Sequence, residues 1–485
     1  MNIIYVNPDE MRADVLGCYG HPLAQTPNFD RLAAEGTRFD QCHVQHTVCT
    51  PSRCSFMTGW YPHVAGHRTL WNPLQPHEPN TMRYLKENGY ETHWFGKNDC
   101  LAPGAFDRSV TRVYGTQGAQ GEVGTSQDLF EKWQPGYYSF LKGAMDGPSR
   151  DELLYDRAVD VIRQRKEDDP PFFMFLATSF PHPIYHAPQP WYDMYNPDDL
   201  PPLRPLVGEG APDFHRLIRQ YRDLENTDEA VLRKIMAVYL GMTSYVDHLL
   251  GKLLTALDET GQAENTAVIA FSDHGDWAGD YGLVEKWPSG LDDTLTRVPL
   301  IMRALGSVQG MERGNVIETP VELFDIAPTT LELAGVEARH THFARSQVAA
   351  LRGGSGDPAR AVFAEGGYDV HEPQCFEGKP SDGVAGNPDG IYYPKGMQQQ
   401  EHPESVCRSQ MVRTTTHKLV RRSSGRHELY DLQGDPHELQ NIYGKTENTV
   451  AQGELEQALL DWQLRTSDVT PHEPGPRGFP EGLVD

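Results

Sequence analysis

Short apolar runs alternate with amphipathic stretches through the first three quarters of the chain. The apolar runs have the length of β-strands and lie at residues 2–6, 91–95, 171–180 and 266–272. Apolar residues at helical spacing mark the stretches 27–36, 80–90, 151–168 and 242–261. Because strands that alternate with helices form sheets covered on both faces, we predict an α/β fold with a large mixed, mostly parallel sheet sandwiched by helices.

The composition changes in the last quarter of the chain. Residues 368–405 are rich in glycine, proline and polar residues, which predicts a long loop excursion rather than a helix or strand. Short strands are expected within 409–422 and 427–432, and a helix at 447–466. We therefore predict a large α/β domain at 1–367, the excursion at 368–405, and a small α+β subdomain with a short antiparallel sheet and a tail at 406–485.

Charge and cysteine content exclude several classes of protein. The chain has 43 Lys+Arg against 68 Asp+Glu, and its net charge of -25 would repel nucleic acid. No run of 18 or more apolar residues occurs, so no membrane-spanning segment is predicted. The chain opens on a strand-like run without a signal-peptide pattern, which predicts a cytoplasmic location. Seven cysteines without CxxC spacing favour a reducing compartment over a disulfide framework or a cysteine zinc site.

Charged residues and imidazoles follow the predicted strands at the points where the strands end. They are Asp9, Glu10, Lys97, His182, Asp273 and His274. In open α/β sheets, ligands bind beyond the carboxyl ends of the strands, so we expect these side chains to converge on one crevice. Three carboxylates and one imidazole, without a thiolate, suit Ca²⁺, Mg²⁺ or Mn²⁺. Taken one at a time, each acid would also fit as a helix cap or a turn residue.

The stretch "VCTPSRCSFMTG" at 48–59 predicts a short helix, because Pro51 fits a first helical turn. Cys49 would lie just before the positive end of this helix, with Arg53 one turn away. An anion bound there would meet free backbone N–H groups and a guanidinium, a geometry that suits a nucleophile. A buried structural cysteine is the alternative. A bridge to Cys54 is disfavoured, since a helix between the two residues fits disulfide geometry poorly.

Several motifs occur in order along nearly the whole chain: "PDEMRADVLGCYG", "TPNFDRLAAEGTRFD", "CTPSR", "YLKENGYETHWFGK", "FPHPIYHAPQPWY", "FSDHGDWAGDYGLVEK" and "ELYDLQGDPHELQN". Together they resemble the formylglycine-dependent type I sulfatases of the alkaline phosphatase superfamily. The resemblance implies an alkaline phosphatase-like sheet and the activity of a sulfuric ester hydrolase. It also implies a partner, a formylglycine-generating or other sulfatase-maturing enzyme, that oxidises Cys49 to formylglycine.

The resemblance also assigns roles to individual residues. Cys49, once oxidised, would supply the nucleophilic oxygen, and Arg53 would steady it. The metal, most simply Ca²⁺, with Mg²⁺ or Mn²⁺ as alternatives, would be held by Asp9, Glu10, Asp273 and His274. The sulfate oxygens and the leaving oxygen would be held by Lys97, His182 and Lys286, with His182 or Lys286 as the acid that protonates the leaving group.

This sequence departs from the family pattern at the expected metal site and near the expected substrate pocket. Glu10 stands where the family usually has an aspartate, so its longer side chain would shift that contact. The stretch "GKND" places Asp99 where the family often has an imidazole, which leaves the base that expels sulfate unassigned. His67 is a second candidate for an imidazole at the site. We expect His67, Arg68 and the 368–405 excursion at the rim of the substrate pocket.

The substrate class and the alternatives follow from the same residues. A sulfated saccharide is the expected substrate, followed by an aryl sulfate or a phosphonate monoester or phosphodiester. A non-catalytic relative that binds a sulfated glycan is a further alternative, although the cysteine, the arginine and the acids are all present. A phosphatase that uses an unmodified cysteine fits less well, because thiolates prefer softer centres than this set of hard ligands provides.

Overall fold

The computed structural model describes residues 1–472 and 477, apart from 116–122, 133–135, 209, 307, 309, 384 and 473–476. Its strands are β1 Asn2–Asp9, β2 Thr37–His43, β3 Glu91–Gly96, β4 Arg112–Tyr114, β5 Phe172–Pro181, β6 Thr266–Phe271, β7 Arg297–Val298, β8 Leu300–Arg303, β9 Asn315–Glu322, β10 Val362–Gly366, β11 Ser409–Arg413, β12 His417–Arg422 and β13 Glu428–Asp431. Its helices are α1 Pro27–Glu35, α2 Cys49–Thr58, α3 Pro62–Ala65, α4 Thr81–Glu87, α5 Pro103–Ser109, α6 Arg150–Gln164, α7 Asp213–Tyr221, α8 Glu229–Glu259, α9 Asp293–Thr296, α10 Ile326–Ala334, α11 Val348–Leu351, α12 Tyr393–Glu401 and α13 Thr449–Thr466.

The main sheet is mixed and mostly parallel, as predicted. Within the described part of the chain its order is β4-β3-β5-β1-β6-β8-β2-β7, and β9 pairs with β2. The pairs among β4, β3, β5, β1 and β6 are parallel, whereas β8 runs antiparallel to both of its neighbours. Because β3, β5, β1 and β6 are adjacent and parallel, their carboxyl ends meet at one edge of the sheet.

The central strand β1 is buried along its whole length and packs helices against both faces. Ile4 and Val6 belong to the core shared with α1, α6 and α8, whereas Ile3 and Tyr5 belong to the core shared with α2, α4 and α10. This alternation is the two-residue period of a strand, and it explains why the run is continuously apolar in sequence. The hydroxyl groups of Tyr5 and Thr330 share a hydrogen bond of 2.6 Å, which ties α10 to the sheet.

A separate sheet of antiparallel strands in the order β10-β11-β12-β13 confirms the predicted C-terminal sheet. Its first strand, β10, lies inside the segment 1–367 that the sequence assigned to the large domain. Helix α13 packs here through Trp462, whose ring stacks on Phe363 at 5.1 Å between centroids. Among the described residues, none of the helices combines the length and apolar character needed to cross a membrane.

The segment 368–405 contains a helix that the sequence did not suggest. Helix α12 spans Tyr393–Glu401, and it buries polar residues rather than an apolar stripe. Lys395, Gln398 and Gln399 are all buried. An element whose inward face is polar gives no hydrophobic periodicity, which is why composition alone indicated a loop there.

Candidate active site

The ends of β1 and β6 bring three acidic residues together beneath the sheet edge. Asp9 ends β1, and Asp273 follows β6 after one residue. Glu10 takes a φ of 67°, a left-handed conformation that costs a residue other than glycine about 1 kcal/mol or more. Its backbone N–H then donates to Asp273 Oδ1 at 3.2 Å, which joins the two strand ends. All three acids are fully buried.

Arg53 of α2 is the counter-charge of two of these acids. Its Nε donates to Asp273 Oδ2 and its Nη2 to Asp9 Oδ2, each at 2.8 Å, and all three side chains are 0% exposed. Lys97, which follows β3, forms a short ion pair with Asp9. Burial alone would raise the pKa of Asp9, but Lys97 and Arg53 hold it well below its usual range. Asp9 is therefore an ionised carboxylate.

Cys49 is the first residue of α2, one position further into the helix than the sequence suggested. Its Sγ lies 3.3 Å from His274 Nε2 and 3.5 Å from Asp9 Oδ1. The other ring nitrogen of His274, Nδ1, lies 3.0 Å from the carbonyl oxygen of Gly275, which orients Nε2 toward Cys49. Burial, reinforced by Asp9, raises the pKa of the Cys49 thiol well above its usual value. Unmodified, this cysteine is thus a neutral thiol.

The donor atoms at this point fit a divalent cation. Ligand atoms of Asp9, Cys49, Asp273 and His274 all lie within 4.8 Å of one another. Glu10 instead groups with Asp9 and His182, and its Oε1 is buried without a hydrogen-bond partner among the described residues. Carboxylate oxygens with one imidazole suit Ca²⁺, Mg²⁺ or Mn²⁺.

Lys286 and His182 both lie beside Glu10. Lys286 Nζ donates to Glu10 Oε2 at 2.5 Å, and His182 Nε2 lies 3.4 Å from that oxygen. Burial alone would lower the pKa of Lys286, but Glu10 and neighbouring acids hold it well above its usual value. Burial and the Lys286 charge lower the pKa of His182 well below its usual value. Lys286 is therefore charged beside a neutral imidazole.

A cavity of about 600 Å³ opens above this cluster. Five of the residues proposed from the sequence share its wall: Cys49, Lys97, Asp99, His182 and Lys286. Asp99 Oδ2 lies 2.9 Å from Lys97 Nζ, so the carboxylate found in place of an imidazole tethers this lysine at the rim.

The structure places the other two rim candidates in contacts of their own. The two ring nitrogens of His67 lie 2.7 Å from the carbonyl oxygen of Asn72 and 3.1 Å from Glu78 Oε1. Arg68 forms a short ion pair with Glu372. In the described part of the chain, neither His67 nor Arg68 lines the cavity that contains Cys49.

Several residues of the cavity wall were not singled out from the sequence; among them are Glu285, Glu377, Tyr392 and Lys395. Glu285 Oε1 accepts a hydrogen bond from Lys395 at 3.1 Å, and its Oε2 accepts one from Arg222 at 2.6 Å. Glu285 could have been predicted from the sequence, because it directly precedes Lys286. The others belong to the 368–405 segment, which the sequence analysis expected at the rim as a whole, although no pattern in it marks the individual residues.

The fold and the site together define a class of α/β protein. In this class a buried cluster of acids and one imidazole lies beside a candidate nucleophile, and a cavity opens above them. The sulfatase family profile matches residues 1–336, and the profile for the C-terminal region of N-sulphoglucosamine sulphohydrolase matches residues 386–465. The chain therefore belongs to the sulfatase family and is a sulfuric ester hydrolase. The resemblance found in the sequence is confirmed.

Individual relatives match over nearly the whole chain. A multifunctional alkaline phosphatase superfamily protein of Trinickia caryophylli is 27% identical over 99% of this chain and 98% of its own length. An N-acetylglucosamine-6-O-sulfatase of Bacteroides thetaiotaomicron is 26% identical over 97% of this chain and 88% of its own length. The crystal structure of a phosphonate monoester hydrolase of Agrobacterium radiobacter has a TM-score of 0.75 at 21% identity and covers 96% of each chain. This structural likeness confirms the fold.

Proposed function

We propose that this chain hydrolyses a sulfate ester on a carbohydrate, with formylglycine made from Cys49 as nucleophile and a divalent cation as cofactor. One observation carries the proposal: Cys49 Sγ lies 3.3 Å from His274 Nε2 and 3.5 Å from Asp9 Oδ1, at the start of α2 and on the wall of the cavity. The curated relative that acts on N-acetylglucosamine 6-O-sulfate supports a saccharide substrate. Formylglycine, when present, supplies a hydrated aldehyde oxygen as the nucleophile.

Asp9, Glu10, Asp273 and His274 would hold the cation, which when bound supplies positive charge beside the nucleophile and the sulfate oxygens. We propose Ca²⁺, with Mg²⁺ or Mn²⁺ as alternatives, because the donors are mostly carboxylate oxygens. Arg53 holds Asp9 and Asp273 in place through its two 2.8 Å hydrogen bonds.

Two lysines bind the sulfate group in this proposal. Lys97 and Lys286 both line the cavity, and each is a local positive charge in a chain with a net charge of -25. Lys286 is protonated because its pKa is raised, and its Nζ would be the donor closest in role to the acid that protonates the leaving oxygen. His182 Nδ1 lies 2.5 Å from the carbonyl oxygen of Pro183. A neutral ring that donates from Nδ1 accepts at Nε2, so His182 would receive a hydrogen bond from the substrate.

A second candidate is phosphonate monoester or phosphodiester hydrolysis. The name of the Trinickia caryophylli relative describes a multifunctional enzyme of the superfamily, and that relative matches 99% of this chain. Lys97 favours sulfate over these esters in our reading, since the resemblance to sulfatases assigns it to the sulfate oxygens.

Two measurements test the proposal. The first is the mass of the tryptic peptide from Phe39 to Arg53, in protein made in a host that carries a sulfatase-maturing enzyme. Conversion of Cys49 replaces sulfur by oxygen and removes two hydrogens. A peptide that keeps the intact thiol in such a host would sink the formylglycine mechanism.

The second measurement compares turnover of aryl sulfate and saccharide sulfates with turnover of a phenyl phosphonate ester, before and after chelation and with Ca²⁺, Mg²⁺ or Mn²⁺ restored. We expect sulfate esters to be the better substrates and chelation to remove the activity. The variant Cys49→Ala is the blank for both classes of ester. Faster turnover of the phosphonate ester would replace the sulfatase assignment with the second candidate.

A further inference from the structure

The backbone of Glu377 is fixed on α12 independently of its side chain. Its N–H donates to Gln399 Oε1 at 2.9 Å, and its carbonyl oxygen accepts from Gln400 Nε2 at 2.7 Å. The next residue, Gly378, has a φ of +90°, and a Cβ there would lie 2.5 Å from the backbone of Gly396. This close contact between two glycines anchors the segment around Glu377 to the helix.

Glu377 lines the cavity that contains Cys49. The residue is 5% exposed, and its Oε1 has no hydrogen-bond partner among the described residues. Lys395 Nζ lies 3.9 Å from Oε1, too far for a hydrogen bond, and it donates instead to Glu285 Oε1 at 3.1 Å. A buried carboxylate oxygen without a donor is unfavourable, so a ligand that brings a donor gains affinity.

We infer that Glu377 determines specificity for the alcohol part of the substrate, by accepting a hydrogen bond from a hydroxyl or ammonium group that this part carries. The inference rests on the proposed sulfatase function and deepens it. A fixed acceptor in the cavity wall rewards substrates with a matching donor and penalises analogues that leave the acceptor unpaired.

Charge narrows the substrate class further. Asp382 lines the same cavity, and its own Oδ2 accepts the backbone N–H of Lys379 at 3.1 Å. A second anionic group on the alcohol, such as a carboxylate, would face these two acids while Lys395 is engaged with Glu285. The preferred substrate is therefore the sulfate ester of a neutral or amino sugar rather than of a uronic acid.

The test is kcat/KM for three sulfate esters with the mature enzyme and two variants. Glucose 6-sulfate offers hydroxyl donors, glucosamine 6-sulfate adds an ammonium group, and 4-nitrophenyl sulfate offers no donor. For Glu377→Ala we expect a loss of about 10- to 100-fold on the sugar esters and a change of less than about threefold on 4-nitrophenyl sulfate. Glu377→Gln keeps an acceptor but not the charge. If kcat/KM for both sugar esters recovers in this variant, the donor is a hydroxyl group. If kcat/KM stays low for glucosamine 6-sulfate alone, the donor is the ammonium group.

Glu401→Gln is the control, because Glu401 is the last residue of α12, the helix that holds the backbone of Glu377, and is exposed. We expect it to change none of the three rates by more than about twofold. An equal loss on all three esters in Glu377→Ala, or no loss on the sugar esters, overturns the inference alone. A mature wild-type enzyme that turns over none of the three esters overturns the proposed function instead.

Discussion

Replacement of Arg53 by methionine should be the most destabilising single change at the site. The substitution keeps an extended apolar stem but removes both 2.8 Å hydrogen bonds to Asp9 and Asp273. Removing one partner of a buried ion pair typically costs about 3–5 kcal/mol, because the remaining charge stays buried without compensation. All three side chains are 0% exposed, so water cannot replace the guanidinium without rearrangement.

Most of the lost stability should come from the uncompensated charge of Asp273. Asp9 keeps Lys97 as a cationic partner, whereas Asp273 Oδ1 keeps the backbone N–H of Glu10 at 3.2 Å and His274 Nε2 at 3.9 Å. A second substitution, Asp273→Asn, removes the uncompensated charge. The double variant Arg53→Met/Asp273→Asn should therefore recover about 2 kcal/mol of what the single variant lost, a coupling within the range found for residues in contact.

Urea unfolding in the presence of EDTA measures these free energies directly. Arg303→Met is a control, because Arg303 is also buried but its partner Glu35 is 25% exposed and keeps Arg31 at 2.9 Å. We expect the control to cost about 1 kcal/mol or less. A loss below about 1 kcal/mol in Arg53→Met, or a double variant no more stable than the single one, would refute the electrostatic account.

Three further predictions concern a buried acid, a glycine and the two cysteines of α2. Burial raises the pKa of Asp151 from 3.8 to about 6, so the stability it contributes is present below pH 4 and is lost as the pH rises through 6. The free energy of unfolding of Asp151→Asn should therefore gain about 2 kcal/mol on that of the wild type between pH 4 and 7, and the same pH dependence in both proteins would contradict this. In urea unfolding, Gly378→Ala should lower the free energy of unfolding by more than Gly335→Ala does. The Cβ added at Gly378 would lie 2.5 Å from the backbone of α12, whereas a Cβ at Gly335, which also has a positive φ, would meet nothing within 4 Å. Cys49→Ala should abolish sulfate ester turnover with little change in stability. Cys54→Ala should cost about 1 kcal/mol of stability and keep turnover within about twofold. Loss of turnover in Cys54→Ala would show that Cys54 does more than pack.

The sequence was sufficient for the parts of the site that follow a strand directly. Asp9, Lys97, His182 and Asp273 each lie at or just beyond the end of a strand, and the four strands are neighbours in the sheet. A residue so close to a strand end has little freedom, so the order of the strands determines which side chains meet. Cys49 was identifiable for a related reason, because Pro51 predicts the start of the helix that carries it.

The residues that line the outer cavity could not be found in this way. Lys395 reaches the cavity from α12 and Glu377 from the segment that precedes this helix, and polar contacts tie both to parts of the chain that are distant in sequence. Neither a helical period nor a turn signal marks such contacts, since they depend on where the segment packs rather than on its own pattern. His67 shows the converse, because its place in a recognisable motif suggested the rim, whereas its nitrogens contact Asn72 and Glu78.

In the function we propose, the two cavity lysines would bind a sulfate group against the negative net charge of the chain. Lys97 pairs with Asp9, and Lys286 donates to Glu10 at 2.5 Å, so each lysine is bound to an acid that would also bind the cation. A cation at these acids competes with the lysines for the same carboxylate oxygens. Lys97 and Lys286 both line the cavity, so a lysine that loses its acid would be available to a sulfate group there. Binding of the cation and of the sulfate ester should therefore favour one another, because each removes the competitor of the other.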